Sequence, residues 1–331
     1  MQQSNWQSQL RKSDKNPGDF ISGLGLKENS LQLSETAHQA FPLRVPPGYS
    51  KRIIQGDPND PLLRQVLPVT EEELDQPGYS KNPLAEDASQ PVPGLLHKYH
   101  GRALLVTTGA CAIHCRYCFR RHFPYADANP STNRWEKALE YIAADNSLTE
   151  IILSGGDPLI LPDESLSKLI HSLAEISHIK RLRIHSRIPV VLPERINDEL
   201  VSLLTTTRLL PVMVLHINHA NELDQEAKCS IKKLGSAGIP LLNQSVLLKE
   251  INDSAVTLAE LSEALFESGV MPYYLHMLDP VAGAAHFEVK DTQARKIMQE
   301  LHDILPGYLV PRLVREVPGR TSKVPVELAT V

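Results

Sequence analysis

Ala103-Leu104-Leu105-Val106-Thr107-Thr108-Gly109-Ala110-Cys111-Ala112-Ile113-His114-Cys115-Arg116-Tyr117-Cys118-Phe119-Arg120-Arg121 is the stretch on which the fold of this chain turns. A short apolar run leads into a turn, and three cysteines follow in the spacing Cys-x3-Cys-x2-Cys. The run has the length and composition of a buried parallel strand, and similar runs recur at 150–156, 181–187, 211–217, 240–246 and 271–277. Helix-like segments fill the gaps at 134–145, 163–177, 194–206, 221–237 and 254–268, and another follows at 291–304. Asp253 or Ser254 is suited to cap the helix at 254–268, because a short side-chain oxygen accepts from a first-turn N–H. A strand, a helix and their turns take about 30 residues, which is one βα unit. Six such units in succession predict a parallel α/β barrel or partial barrel with right-handed crossovers. Chemistry in such folds gathers where strands end at their C-termini, and that is where the cysteines stand.

The first hundred residues read differently. Pro42, Pro46, Pro47, Pro58, Pro61, Pro68, Pro77, Pro83, Pro91 and Pro93 exclude long helices there. A short helix fits at 71–74. We expect residues 1–100 to form an arm or small subdomain on the body, 101–290 the (β/α)6 core, and 291–331 a C-terminal helix, strand and loop, with the strand at 307–313.

Composition excludes several classes. A net charge of −5 argues against a general nucleic-acid partner, since phosphates are held by clustered Lys and Arg. No apolar run reaches the roughly 18 residues of a membrane span. Met1-Gln2-Gln3-Ser4-Asn5-Trp6 lacks a basic stretch followed by an apolar one, so a cytoplasmic protein is expected.

Of four cysteines, three are clustered, which fits metal or cluster ligation better than a disulfide framework. Cys229 stands apart in a helix-like segment and reads as a small packed hydrophobe. Three thiolates can bind three irons of a 4Fe–4S cubane and leave the fourth without a protein ligand. A structural zinc site would need a fourth closing ligand, and His114 between the cysteines keeps a zinc knuckle open as an alternative.

Cys-x3-Cys-x2-Cys after the first strand, with an aromatic residue before the last Cys, resembles the radical S-adenosylmethionine superfamily. That resemblance implies a cluster on Cys111, Cys115 and Cys118, whose open iron is chelated by S-adenosylmethionine, and a radical generated by reductive cleavage. Ser154-Gly155-Gly156-Asp157-Pro158 ends the second strand, where the superfamily places a glycine turn beside the methionyl group. Longer stretches resemble the lysine 2,3-aminomutase family from about Phe41 onward. They are Cys118–Phe123, His185–Val191, His216–Glu222, Asn243–Leu248 and Tyr273–Asp279. Within it, Val92-Pro93-Gly94-Leu95-Leu96-His97-Lys98-Tyr99 resembles the bacterial subgroup that supplies β-lysine for elongation factor P.

The resemblance implies pyridoxal 5′-phosphate bound to Lys323 as a Schiff base. This chain keeps Pro318-Gly319 and the lysine but lacks the family's further glycines between them. It assigns Arg120 to the substrate carboxylate, and Asp279 with Glu316 to the distal ammonium of L-lysine. Lys98 and Arg102 fall at the pyridoxal phosphate group; Ser154, Gly155, Gly156, Asp157, Arg187, His216 and Gln244 count as further cofactor contacts. It also implies an electron donor such as a flavodoxin and a functional link to an elongation factor P ligase, and leaves a homo-oligomer open. The expected fold is thus a radical SAM partial (β/α)6 barrel with an N-terminal irregular and helical extension and a short C-terminal segment carrying the lysine. Two competitors are a related aminomutase acting on glutamate, which would want a cation or amide at Asp279 and Glu316, and a non-catalytic zinc or cluster module. The negative charge and the six βα units count against the second.

Overall fold

The computed structural model describes residues 5–27, 31–124 and 132–327; the opening residues 1–4, part of the stretch read for a secretory signal, lie outside them. One sheet runs in sequence order through β1 Leu95–Tyr99, β2 Arg102–Thr108, β3 Glu150–Gly155, β4 Arg181–Ser186, β5 Leu210–Leu215, β6 Leu241–Val246, β7 Met271–His276, β8 Arg312–Arg315 and β9 Val324–Pro325. β2 to β8 are parallel to their neighbours, whereas β1 and β9 pair antiparallel at the two edges. The edges stay apart, so the barrel is partial. Register places Thr108 opposite Gly155, Ser186 opposite Leu215, and His276 opposite both Val246 and Val314, which gathers the strand ends at one rim.

The strands form where both faces are covered. Five of the six positions in β3 are buried, as expected for a strand with helices outside and side chains within. The helix Asp163–Glu175 buries Leu166, Leu169, Ile170 and Leu173, the spacing of one helical face. Ser254 caps the helix Ala255–Glu267 by accepting from the Thr257 N–H, while Asp253 accepts from the N–H of Glu250 instead.

Several boundaries differ from the expectation, each for a local reason. A turn at Ile188–Val191 precedes the helix expected at 194–206, which is itself split into a turn at Pro193–Arg195 and a helix Asp198–Thr205, started by Asn197 accepting from Leu200 N. The prolines at 189 and 193 cannot donate, and each starts a new turn. The helix expected at 221–237 begins at Gln225, where Asp224 caps it. The C-terminal strand begins at Arg312 rather than 307, after a turn at Gly307–Leu309. The sheet also takes in β1 from the region read as irregular; Gly94 and Gly101, both with positive φ, bracket it and let it fold back on β2.

The arm is continuous with the body. Its Phe20, Ile21, Tyr49, Leu62 and Leu63 share one hydrophobic core with Leu105, Ile151, Leu182 and Leu192 of the barrel. The short helix expected at 71–74 is the turn Thr70–Glu73. No helix among the described residues is long and apolar enough to cross a membrane.

Candidate active site

At the rim the cysteine loop leaves β2 and is held from outside by the arm. Arg116, between the second and third cysteines, is fully buried. Its Nε and Nη2 donate to Glu72 (2.8 and 2.6 Å), and Nη1 and Nη2 donate to the carbonyls of Phe41 and Ala37. Arg121 also pairs with Glu72. The His114 ring stacks on Phe41 at 4.6 Å, with Nδ1 2.7 Å from the Pro42 carbonyl oxygen. That contact ties His114 to the arm. Cys229, read as a packed hydrophobe, is exposed at the helix surface beside Gln225. The helical face there is directed outward, so packing does not account for it.

Cys111, Cys115 and Cys118 line one cavity of about 260 Å³ under the rim. Burial pushes the Cys111 thiol up, with Cys118, Asp157 and Cys115 adding repulsion, and burial with Cys115 lifts Cys118 to about 11. Thiolates in such surroundings need a strongly cationic centre, which iron provides. Three thiols on one loop facing one cavity fit the donor set of a cubane, which takes each thiolate on a different iron.

The glycine turn lines the cavity and packs directly on the cysteine loop. A Cβ on Gly156 would lie 2.2 Å from the Ala110 carbonyl oxygen, and one on Gly155 (φ +121°) 2.6 Å from that of Thr108. These glycines let β3 lie directly against the cysteine loop, through Gly156 N–H to Thr108 O and Asp157 N–H to Ala110 O. The Asp157 side chain accepts from Ser186 Oγ and from the N–H groups of Leu159, Arg187 and Ile188. Burial lifts its carboxyl to about 6 against those bonds. Arg187 likewise sits in a buried network. It donates to Cys115 Sγ (2.7 Å), Tyr117 Oη, Gln65 Oε1 and Glu222 Oε2, which ties it to the cysteine loop.

Three imidazoles, His185, His216 and His276, come from the ends of β4, β5 and β7 and line the same cavity. Gln244 Nε2 lies 3.2 Å from His216 Nε2, while the Nε2 atoms of His185 and His276 are buried without partners among the described residues. Burial first, then nearby cations, drives all three down, His216 to about 3. They are neutral donors or acceptors at ordinary pH.

Charged groups occupy two further parts of the cavity wall. Arg120 is buried and pairs with Glu86, and its Nη1 donates to Ser154 Oγ (3.2 Å). Lys98 lies 3.3 Å from the same Glu86, and the Arg102 guanidinium stands 4.7 Å over the Tyr99 ring. In the other part, the antiparallel β8–β9 hairpin brings Glu316 and Lys323 together as an ion pair. Its loop contains the turn Val317-Pro318-Gly319-Arg320, closed by Arg320 N–H to Val317 O, with Gly319 at φ +76°. One glycine at that place suffices for a type II turn, so the family's additional glycines are not needed for closure. Tyr99 donates to Glu316, and Lys323 Nζ lies 5.6 Å over the Tyr274 ring. Lys323 and Tyr99 hold Glu316 low despite its burial. Asp279, just past β7, is raised to about 7, by burial first and then by Glu316, with Lys323 opposing.

Every residue that the resemblance singled out as a ligand, cofactor contact or substrate contact lines this one cavity. Glu86, Tyr99, His185 and His276 also line it and were given no role in advance. The two histidines stand at strand ends and could have been found by that rule. Glu86 lies in proline-rich sequence with no periodic signal.

A parallel partial barrel with three cysteines at the first strand end defines a radical enzyme class, and the comparisons agree. The profile described as "Radical SAM superfamily" matches residues 105–261. L-lysine 2,3-aminomutase of Escherichia coli is 52% identical over 98% of this chain and 94% of its own length. Proteins of the same name from Haemophilus influenzae and Buchnera aphidicola are 47% and 44% identical, covering 97% and 98% of this chain and 95% of each relative. The chain belongs to the radical SAM lysine 2,3-aminomutase family, and it is an isomerase.

Proposed function

We propose that this enzyme converts free L-lysine to β-lysine, with a 4Fe–4S cluster on Cys111, Cys115 and Cys118, S-adenosylmethionine at its open iron, and pyridoxal phosphate on Lys323. The observation that carries this reading is one cavity in which Arg120 stands beside Ser154, and Asp279 and Glu316 flank Lys323. A guanidinium suits the α-carboxylate, and two carboxylates suit the distal ammonium. The names of the near-full-length relatives support the same substrate. When bound, these cofactors supply reversible hydrogen abstraction and the conjugation through which a nitrogen passes between adjacent carbons.

The chain's own groups bind and orient. Lys98 and Arg102 are the cations for the pyridoxal phosphate group. Lys323 Nζ, paired with Glu316 Oε1, gives up its proton before it can act as a nucleophile. Asp279 ionises when the substrate ammonium arrives, so binding below about pH 7 releases a proton from its carboxyl. The neutral imidazoles add hydrogen-bonding capacity without adding positive charge to a site that receives a dication. Resemblance to the subgroup that serves elongation factor P supports a separate ligase as consumer of the product and a flavodoxin-type electron donor.

The test is anaerobic incubation of the reconstituted protein with reductant, S-adenosylmethionine, pyridoxal phosphate and L-lysine, followed by chiral analysis. β-Lysine is expected, and K323A is expected to lose the absorption band that pyridoxal phosphate gives with wild type. Rearranged glutamate alongside unchanged lysine would overturn the substrate assignment.

A further inference from the structure

Glu86 has no part in the proposed chemistry, yet it is the carboxylate that Arg120 grips. Arg120 Nε donates to Oε2 and Nη2 to Oε1, both at 2.9 Å, and Lys98 Nζ lies 3.3 Å from Oε1. Glu86 is 5% exposed. Burial alone would push its carboxyl up, but Arg120 and Lys98 outweigh burial and hold it at about 2. Two parallel bonds on the Nε/Nη2 edge fix the plane of a guanidinium, and the Nη1 bond to Ser154 at the end of β3 fixes its tilt.

The segment that delivers Glu86 is itself tied down. Ala85, directly before it, adopts φ +46°, a left-handed conformation uncommon for a residue with a Cβ. Asn82 Oδ1 accepts from the Glu86 N–H, and Asn82 Nδ2 donates to Asp87. Ser80 forms a bridge with Val281: its N–H donates to Pro280 O, and its carbonyl accepts from Ala282 N–H. The same stretch of arm thus docks on the loop that follows Asp279 and reaches Arg120.

We infer that Glu86 is a positioning residue that sets the plane of Arg120 for the carboxylate of the bound amino acid, a role that rests on the reading of Arg120 given above. A buried ion pair is by itself weak grounds for stability, because desolvation offsets the attraction. Its value here is geometric, since a fork held from one side meets the substrate carboxylate at one angle.

The reconstituted holoenzyme is compared with E86Q, E86D and R120K variants, using L-lysine as substrate and 1,5-diaminopentane, lysine without its carboxylate, as competitor. E86Q should raise KM for lysine about tenfold with kcat within about twofold, because the contact serves ground state and transition state alike. The inhibition constant of 1,5-diaminopentane should stay within about twofold, and E86D, which keeps the charge, should fall between wild type and E86Q. In an R120K background E86Q should add less than about twofold, since the two residues act through one contact. An unchanged KM, an equal rise in KM and in the diamine constant, or full additivity with R120K would each overturn the inference. Should E86Q fail to fold, E86D carries the same contrast between lysine and the diamine. Wild-type holoenzyme that leaves lysine untouched sinks the substrate reading instead. Equilibrium dialysis of amines with and without a carboxylate against wild type and E86D then decides Glu86 on its own.

Discussion

Asp279 shows how much one position is governed by its neighbours. Nothing in Met277-Leu278-Asp279-Pro280 announces a carboxyl held near pH 7. The shift comes from burial and from Glu316, which the hairpin brings close. The native state holds a proton there that an unfolded chain, with an ordinary value of 3.8, releases. Raising pH from 4 through 7 therefore lowers the stability of the apo protein, and the loss is complete above 7. D279N cannot ionise, so its melting temperature should exceed that of wild type by a margin that widens from pH 4 to pH 7 and is level beyond. A constant margin across that range would show that burial does not act on this carboxyl. The same substitution should lower kcat/KM for lysine by about 100-fold or more, as expected when one partner of a buried charge pair is lost.

At the scale of elements, the contact between the β3 turn and the cysteine loop is the tightest constraint. On the side where a Cβ would stand, Gly155 and Gly156 meet Thr108 and Ala110 backbone. In G156A the added methyl meets carbonyl oxygen and cannot rotate away. The expected cost is about 1–3 kcal/mol in urea unfolding, together with lowered iron content after reconstitution. Unchanged iron content would mean that the loop holds its cluster without that contact. The βα alternation was legible because each strand is a short apolar run and each helix repeats its apolar face every three to four residues. Boundaries drifted where prolines and side-chain caps act, as at Pro193, Asn197 and Asp224. The strand β1 was missed because five residues between glycines carry too little pattern to stand out from a proline-rich arm.

For the molecule as a whole, the arm builds the site as well as covering it. Glu72 reaches from the arm to two guanidiniums, Arg116 and Arg121, and all three side chains are at most 2% exposed. E72Q would leave buried cations underpaired, and the expected loss is about 3–5 kcal/mol in urea unfolding, with the cysteine loop the first part to lose protection from hydrogen exchange. E164Q, which breaks the solvent-exposed pair with Lys168, should change nothing measurable and serves as the control. An E72Q protein as stable as that control would show that the arm does not anchor the loop.

The chemistry-bearing residue types and their order along the chain were open to reading from sequence, because a cysteine spacing, a glycine turn and a strand-helix period are local patterns. That reading reached the fold class, and the resemblance added residues that line one cavity. Which partner each charge would have was decided by folding alone. Glu86 meets Arg120 across 34 residues, Glu222 meets Arg187 across 35, and Tyr99 meets Glu316 across 217. Such pairings depend on burial and on where the arm and the terminal hairpin close over the barrel, and no local pattern encodes either.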